Sequence, residues 1–70
     1  MITNRMKVLR AERNWTQQDL AKKLGVTRQT ISSIEKGKYS LSLKLAFEIS
    51  EIFEVELLDV FNNEGSEKNE

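Results

Sequence analysis

The chain has 70 residues, 39% of them apolar, and its 11 basic and 11 acidic side chains cancel to a formal net charge of zero. It contains neither cysteine nor histidine, which removes disulfides, thiolate chemistry, imidazole catalysis and the common zinc sites together. Its length suits one small domain with a modest core. No apolar run approaches the roughly 20 residues that span a bilayer, and the polar N-terminus is patterned as a helix rather than a signal peptide, so a cytoplasmic protein is expected.

A first helix is expected from a cap at Thr3 or Asn4 to about Asn14, with Met6 and Leu9 facing inward and Val8 off that stripe. Trp15 and Thr16 follow. Thr16 is a good N-cap, and Asp19 three residues on completes a capping-box pattern, with Trp15 and Leu20 at the two staple positions. The second helix starts at Gln17. Its inward residues Leu20, Ala21 and Leu24 recur at helical spacing, and Gly25 ends it where positive φ is cheap. Thr27 caps a third helix whose inward residues are Ile31 and Ile34 and whose stop is Gly37.

After a loop through Lys38, Tyr39, Ser40 and Leu41, Ser42 caps a fourth helix running to about Phe53. Leu43, Ala46, Ile49 and Phe53 form its stripe, with Leu45, Phe47 and Ile52 beside it. That is more apolar surface than one buried face requires. Glu54 stands where a glycine would end the helix most cheaply. A short fifth helix is expected over about Glu56 to Phe61. From residue 62 to 70 no apolar side chain remains, which predicts a disordered acidic tail.

The outward side of the third helix carries the functional signal. At about 100° per residue, Arg28, Gln29, Ser32, Ser33 and Lys36 share an arc of roughly 140°, opposite Ile31 and Ile34. Arg matches the O6/N7 edge of guanine, Gln the N6/N7 edge of adenine, and Ser either base or phosphate. Charge is divided in the same sense. Residues 1–40 hold nine Lys/Arg and three acids, net +6, and residues 41–70 hold two Lys and eight acids, net −6. The asymmetry suggests a molecule with one basic face, and the basic half contains the arc. Gln17, beside the open backbone N–H groups of a helix start, suits a phosphate.

The residues Arg10, Thr16-Gln17, Leu20-Ala21, Leu24-Gly25-Val26-Thr27, Gln29, Ile31, Ile34-Glu35-Lys36-Gly37 and Leu43 resemble the helix-turn-helix family of lambdoid phage repressors and Cro, and the short bacterial regulators of that type. The resemblance covers roughly residues 4 to 61. It implies an all-α, five-helix bundle of the lambda-repressor-like DNA-binding type, with helices 2 and 3 as the helix-turn-helix. It implies double-stranded DNA as partner, bound by a homodimer on an inverted repeat. Base reading is expected from Arg28, Gln29, Ser32 and Ser33, and phosphate contact from Gln17, Thr27, Lys36, Lys38 and Arg10. Arg10 is also implied to pair with Glu35. The apolar excess of the second half makes Leu58 and Phe61 the expected dimer contact.

No catalytic residue, metal site or cofactor is expected. The carboxylates Glu48, Glu51, Glu54, Glu56 and Asp59 have no matching base or metal partner, and no glycine-rich phosphate loop is present. A domain this small has no evident room for a small-molecule effector. The competing reading is a protein-interaction module, an antitoxin or an adaptor that sequesters another regulator.

Overall fold

The computed structural model describes residues 2–63. Their order is β1 (Ile2–Asn4), α1 (Met6–Glu12), α2 (Gln17–Leu24), α3 (Arg28–Glu35), α4 (Leu43–Phe53), α5 (Leu57–Val60) and β2 (Phe61–Asn63). Each helix sends side chains to a single core: Met6 and Leu9 from α1, Leu20 and Ala21 from α2, Ile31 and Ile34 from α3, Ile49 and Phe53 from α4, and Val60 from α5. A five-helix bundle results, in which α2 packs against both α3 and α4.

Three helices start on side-chain caps that occupy otherwise unsatisfied N–H groups. The Thr16 hydroxyl accepts from the Asp19 N–H at 3.0 Å while the Asp19 carboxylate accepts from the Thr16 N–H at 2.9 Å. Thr27 accepts from the Thr30 N–H at 3.1 Å, and Ser42 from the Leu45 N–H at 3.1 Å. The Thr16 N–H is the largest cause of a lowered Asp19 pKa, followed by the Thr16 hydroxyl.

Four helices close with one device, a left-handed residue followed by a return bond to the last turn. The left-handed residues are Asn14, Gly25, Gly37 and Glu54, with φ of 59°, 72°, 73° and 59°. The return bonds run from the N–H groups of Trp15, Val26, Lys38 and Val55 to the carbonyls of Arg10, Ala21, Ser33 and Ser50. Only two of the four positions hold glycine. A Cβ added at Gly25 would meet nothing within 4 Å, so glycine is favoured there by backbone conformation, not by space. Glu54 accepts the strained conformation, which costs an L-residue about 1 kcal/mol.

The ends of the bundle differ from expectation. Helix α1 starts at Met6 with Arg5 as its cap residue and no side-chain bond from Arg5; the Asn4 side-chain amide oxygen instead accepts from the Met6 N–H at 3.1 Å. Residues 2–4 are extended, and they pair antiparallel with β2 in the register Ile2 with Asn63, Thr3 with Asn62 and Asn4 with Phe61. Helix α5 therefore stops at Val60, and Phe61 belongs to a strand. Asn62 and Asn63, expected in the tail, are strand residues as well; the rest of that tail, 64–70, lies outside the described residues. The strand pair closes because the two ends of the domain are joined by the Arg5 N–H donating to the Val60 carbonyl at 2.8 Å.

Candidate nucleic-acid interface

The orientation of α3 follows from its two isoleucines. Ile31 and Ile34 are 0% and 3% exposed, and burying each stabilises by roughly 1.5–3 kcal/mol. With those residues inward, Arg28, Gln29 and Lys36 are exposed, and Ser32 and Ser33 are half-buried on the same outer side. Short hydroxyls between longer donors leave the backbone able to approach a groove floor.

A line of polar contacts crosses from α1 to that face. The Arg10 guanidinium donates to Glu35 through Nε at 2.7 Å and Nη2 at 3.2 Å, and its Nη1 donates to the Trp15 carbonyl at 3.0 Å. These side chains are 13% and 8% exposed, so the ion pair is largely removed from water and satisfied by its own geometry. The same Glu35 carboxylate accepts from the Gln17 amide nitrogen at 3.0 Å. The Gln17 amide oxygen in turn accepts from Arg28 Nη1 at 3.3 Å. Helices α1, α2 and α3 are thus tied end to end through Arg10, Glu35, Gln17 and Arg28.

The proposed phosphate group is only partly gathered by this line. Gln17 stands at the start of α2 with one of its two amide hydrogens directed at Glu35. Thr27 caps α3, and its hydroxyl lies 3.0 Å from that of Thr30. Lys36 and Lys38 are exposed around the Gly37 turn. Arg10 differs: each of its three nitrogens donates within the protein, and its side chain is 13% exposed.

Trp15 is accounted for by packing. Its ring stacks on Phe53 with centroids 5.5 Å apart, and Lys23 Nζ lies 4.5 Å from its centroid. Arg13 lies over both rings and donates to the Phe53 carbonyl at 2.6 Å, closing the end of α4. Sequence reasoning did not anticipate this contact, because 40 residues separate its partners.

Beside the end of α3, Leu58 is 84% exposed and borders a groove of about 590 Å³ lined by Ile34, Gly37, Leu41, Ala46, Leu57 and Phe61. Phe61 is half-buried against the core, so it forms the floor rather than a projection. Leu43 and Phe47 of α4 are also exposed. Among the described residues no cluster could hold a metal ion, and no helix is long and apolar enough to cross a membrane.

Comparison with known proteins bears on this arrangement. Residues 6–60 match the family described as helix-turn-helix. The chain is 59% identical over 64 residues to an uncharacterized HTH-type transcriptional regulator of Methanocaldococcus jannaschii, covering 91% of this chain and 97% of that one. It is similar to the crystal structure of a candidate DNA-binding protein from Bacteroides fragilis, with a TM-score of 0.78 and 32% identity over 89% of this chain and all of that one. A more distant similarity, 38% over 56 residues, joins it to the antitoxin HipB of Escherichia coli, over 80% of this chain and 60% of HipB.

Proposed function

The chain belongs to the Cro/C1-type helix-turn-helix family of DNA-binding transcriptional regulators, and from that premise we propose that it is a repressor which binds an inverted-repeat operator as a homodimer. Helix α3 enters the major groove. Arg28 and Gln29 read base edges through bidentate bonds, and Ser32 and Ser33 read or approach them at short range. Gln17, Thr27, Lys36 and Lys38 fix the protein on phosphates, which supplies affinity without sequence information. Arg10 serves the same end from behind, by bracing Glu35 and through it Gln17.

The observation that carries the reading is the line from Arg10 through Glu35 and Gln17 to Arg28. A solvated helix face needs no such bracing. A guanidinium that must meet a guanine edge in one orientation benefits from being held before contact, because less rotamer freedom is lost on binding. For the dimer, the support is a projecting Leu58 beside an apolar groove on one surface. Knob and recess on the same patch satisfy a two-fold, self-complementary contact. Two copies so joined present their recognition helices roughly 34 Å apart, about one turn of DNA.

Selection of bound duplexes from a random pool at near-physiological salt tests this. Enrichment of an inverted repeat with half-sites about ten base pairs apart is expected. Weak, sequence-blind binding that vanishes with added salt would overturn it. The second reading, an antitoxin or adaptor, is favoured by the same exposed groove and by the similarity to HipB. It predicts stable co-purification with a protein partner and no enriched operator.

A further inference from the structure

We infer that Asn4 is a positioning residue for DNA binding, which holds the Gly37–Lys38 turn in place through the carbonyl at the end of the recognition helix. The inference rests on the DNA-binding reading. It concerns a residue with no place in the helix-turn-helix unit.

Asn4 is fixed on its own side by three elements. Its backbone pairs with Phe61 in the terminal sheet, and the neighbouring Arg5 N–H donates to Val60. Its amide oxygen accepts from the Met6 N–H at the start of α1. Its amide nitrogen then donates to the Ile34 carbonyl at 2.9 Å, a partner 30 residues away. The two ends of the amide have opposite partners, an N–H and a carbonyl, so only one orientation satisfies both.

The Ile34 carbonyl is also the acceptor on which the end of α3 turns. It receives the Gly37 N–H at 2.9 Å, and Lys38 follows with its N–H on Ser33 at 2.9 Å. Gly37 has a φ of 73°, so the turn reverses direction sharply between the last helical carbonyls and Lys38. A helix-terminal carbonyl that also accepts from a side chain of a paired strand has less room to tilt than one anchored by its own turn alone. The link also runs along the wall of the apolar groove, which Asn4, Ile34, Gly37 and Phe61 all line. Asn4 thereby connects the β1–β2 pair to the loop that carries Lys38.

The test uses the full chain and two substitutions. Asn4→Ala removes both bonds of the amide. Asn4→Asp keeps the oxygen that caps α1 and removes only the donor to Ile34, so it remains informative if the alanine variant fails to fold. Binding is measured on the operator selected by the wild-type protein and on single-base variants of it, between about 50 and 200 mM salt. The expected result is that both substitutions weaken all duplexes alike and lower the salt slope by about one, the share of one phosphate contact. In a Lys38→Ala background neither should lower it further. An unchanged slope would overturn the inference, as would an additive loss in the Lys38→Ala background, since simple repulsion by the new aspartate persists there. Wild-type protein that selects an operator while the Asn4 variants behave like it sinks this inference alone. Wild-type protein that selects none sinks the DNA-binding reading and this inference with it.

Discussion

The two halves of the domain use their side chains in opposite ways. In α2 and α3 the apolar residues are just enough for the core, and the polar ones are organised into a line of bonds that ends at the exposed Arg28. In α4 and α5 the core takes Ala46, Ile49, Phe53 and Val60, while Leu43, expected on the same stripe, stays in water with Phe47 and Leu58. The first half has polar donors that the fold does not need, and the second has apolar surface that it does not need. Each surplus points to a different partner chemistry: nucleic acid for the first, an apolar protein surface for the second.

The largest effect should come from the second half. In the proposed dimer, Leu58→Asp would remove two apolar anchors, worth roughly 1.5–3 kcal/mol each when buried. Dimerisation, followed by sedimentation, should fall by orders of magnitude while the monomer unfolds at an unchanged midpoint. A dimer that survives would erase the contrast between the halves.

Next comes the first half. Glu35→Ala leaves the Arg10 charge, 13% exposed, without its carboxylate. Loss of one partner from a buried pair costs about 3–5 kcal/mol, which urea unfolding would register. A loss below about 1 kcal/mol, the range of surface pairs, would mean that the line from Arg10 to Arg28 is an ornament of the surface.

A smaller effect separates the helix ends. Glu54→Gly relieves a left-handed glutamate and should stabilise by about 1 kcal/mol. The stabilised protein should bind DNA as before, because Glu54 is exposed and belongs neither to the α3 arc nor to the residues proposed to meet phosphate. The smallest effect is pH-dependent. Asp19 has a folded pKa below its ordinary value of 3.8, so its contribution is fully present above that value and is lost as pH falls through the folded one. Asp19→Asn should therefore unfold more easily than wild type at neutral pH, and the two melting curves should converge as acid protonates Asp19.

The helix-turn-helix unit was legible because its signals are local. Thr16, Thr27 and Ser42 announce their helices by capping chemistry, and Gly25 ends α2 where its sequence position implies. The side of α3 that faces outward follows from two isoleucines three residues apart. What escaped depends on residues far apart in the chain. The two strands are three residues each, too short to show alternation, and they exist only because residues 2–4 and 61–63 meet at one edge of the bundle. The bond from Asn4 to Ile34 spans 30 residues, with no periodicity to reveal it, and that Gln17 braces α3 was implied by family resemblance. The Arg10–Glu35 pair was implied by family resemblance alone, since nothing local in either helix points to the other.

The central claim is that the outer face of α3 reads bases, with Arg28 foremost. The most direct measurement is parallel operator selection with wild-type protein and Arg28→Ala, each followed by affinity measurement on single-base variants. The substitution should relax preference at one base position per half-site, at a cost of roughly 1–3 kcal/mol, and leave the other positions intact. An unaltered operator preference, with or without a uniform loss of affinity, would contradict it and reduce Arg28 to a phosphate contact or a solvated side chain.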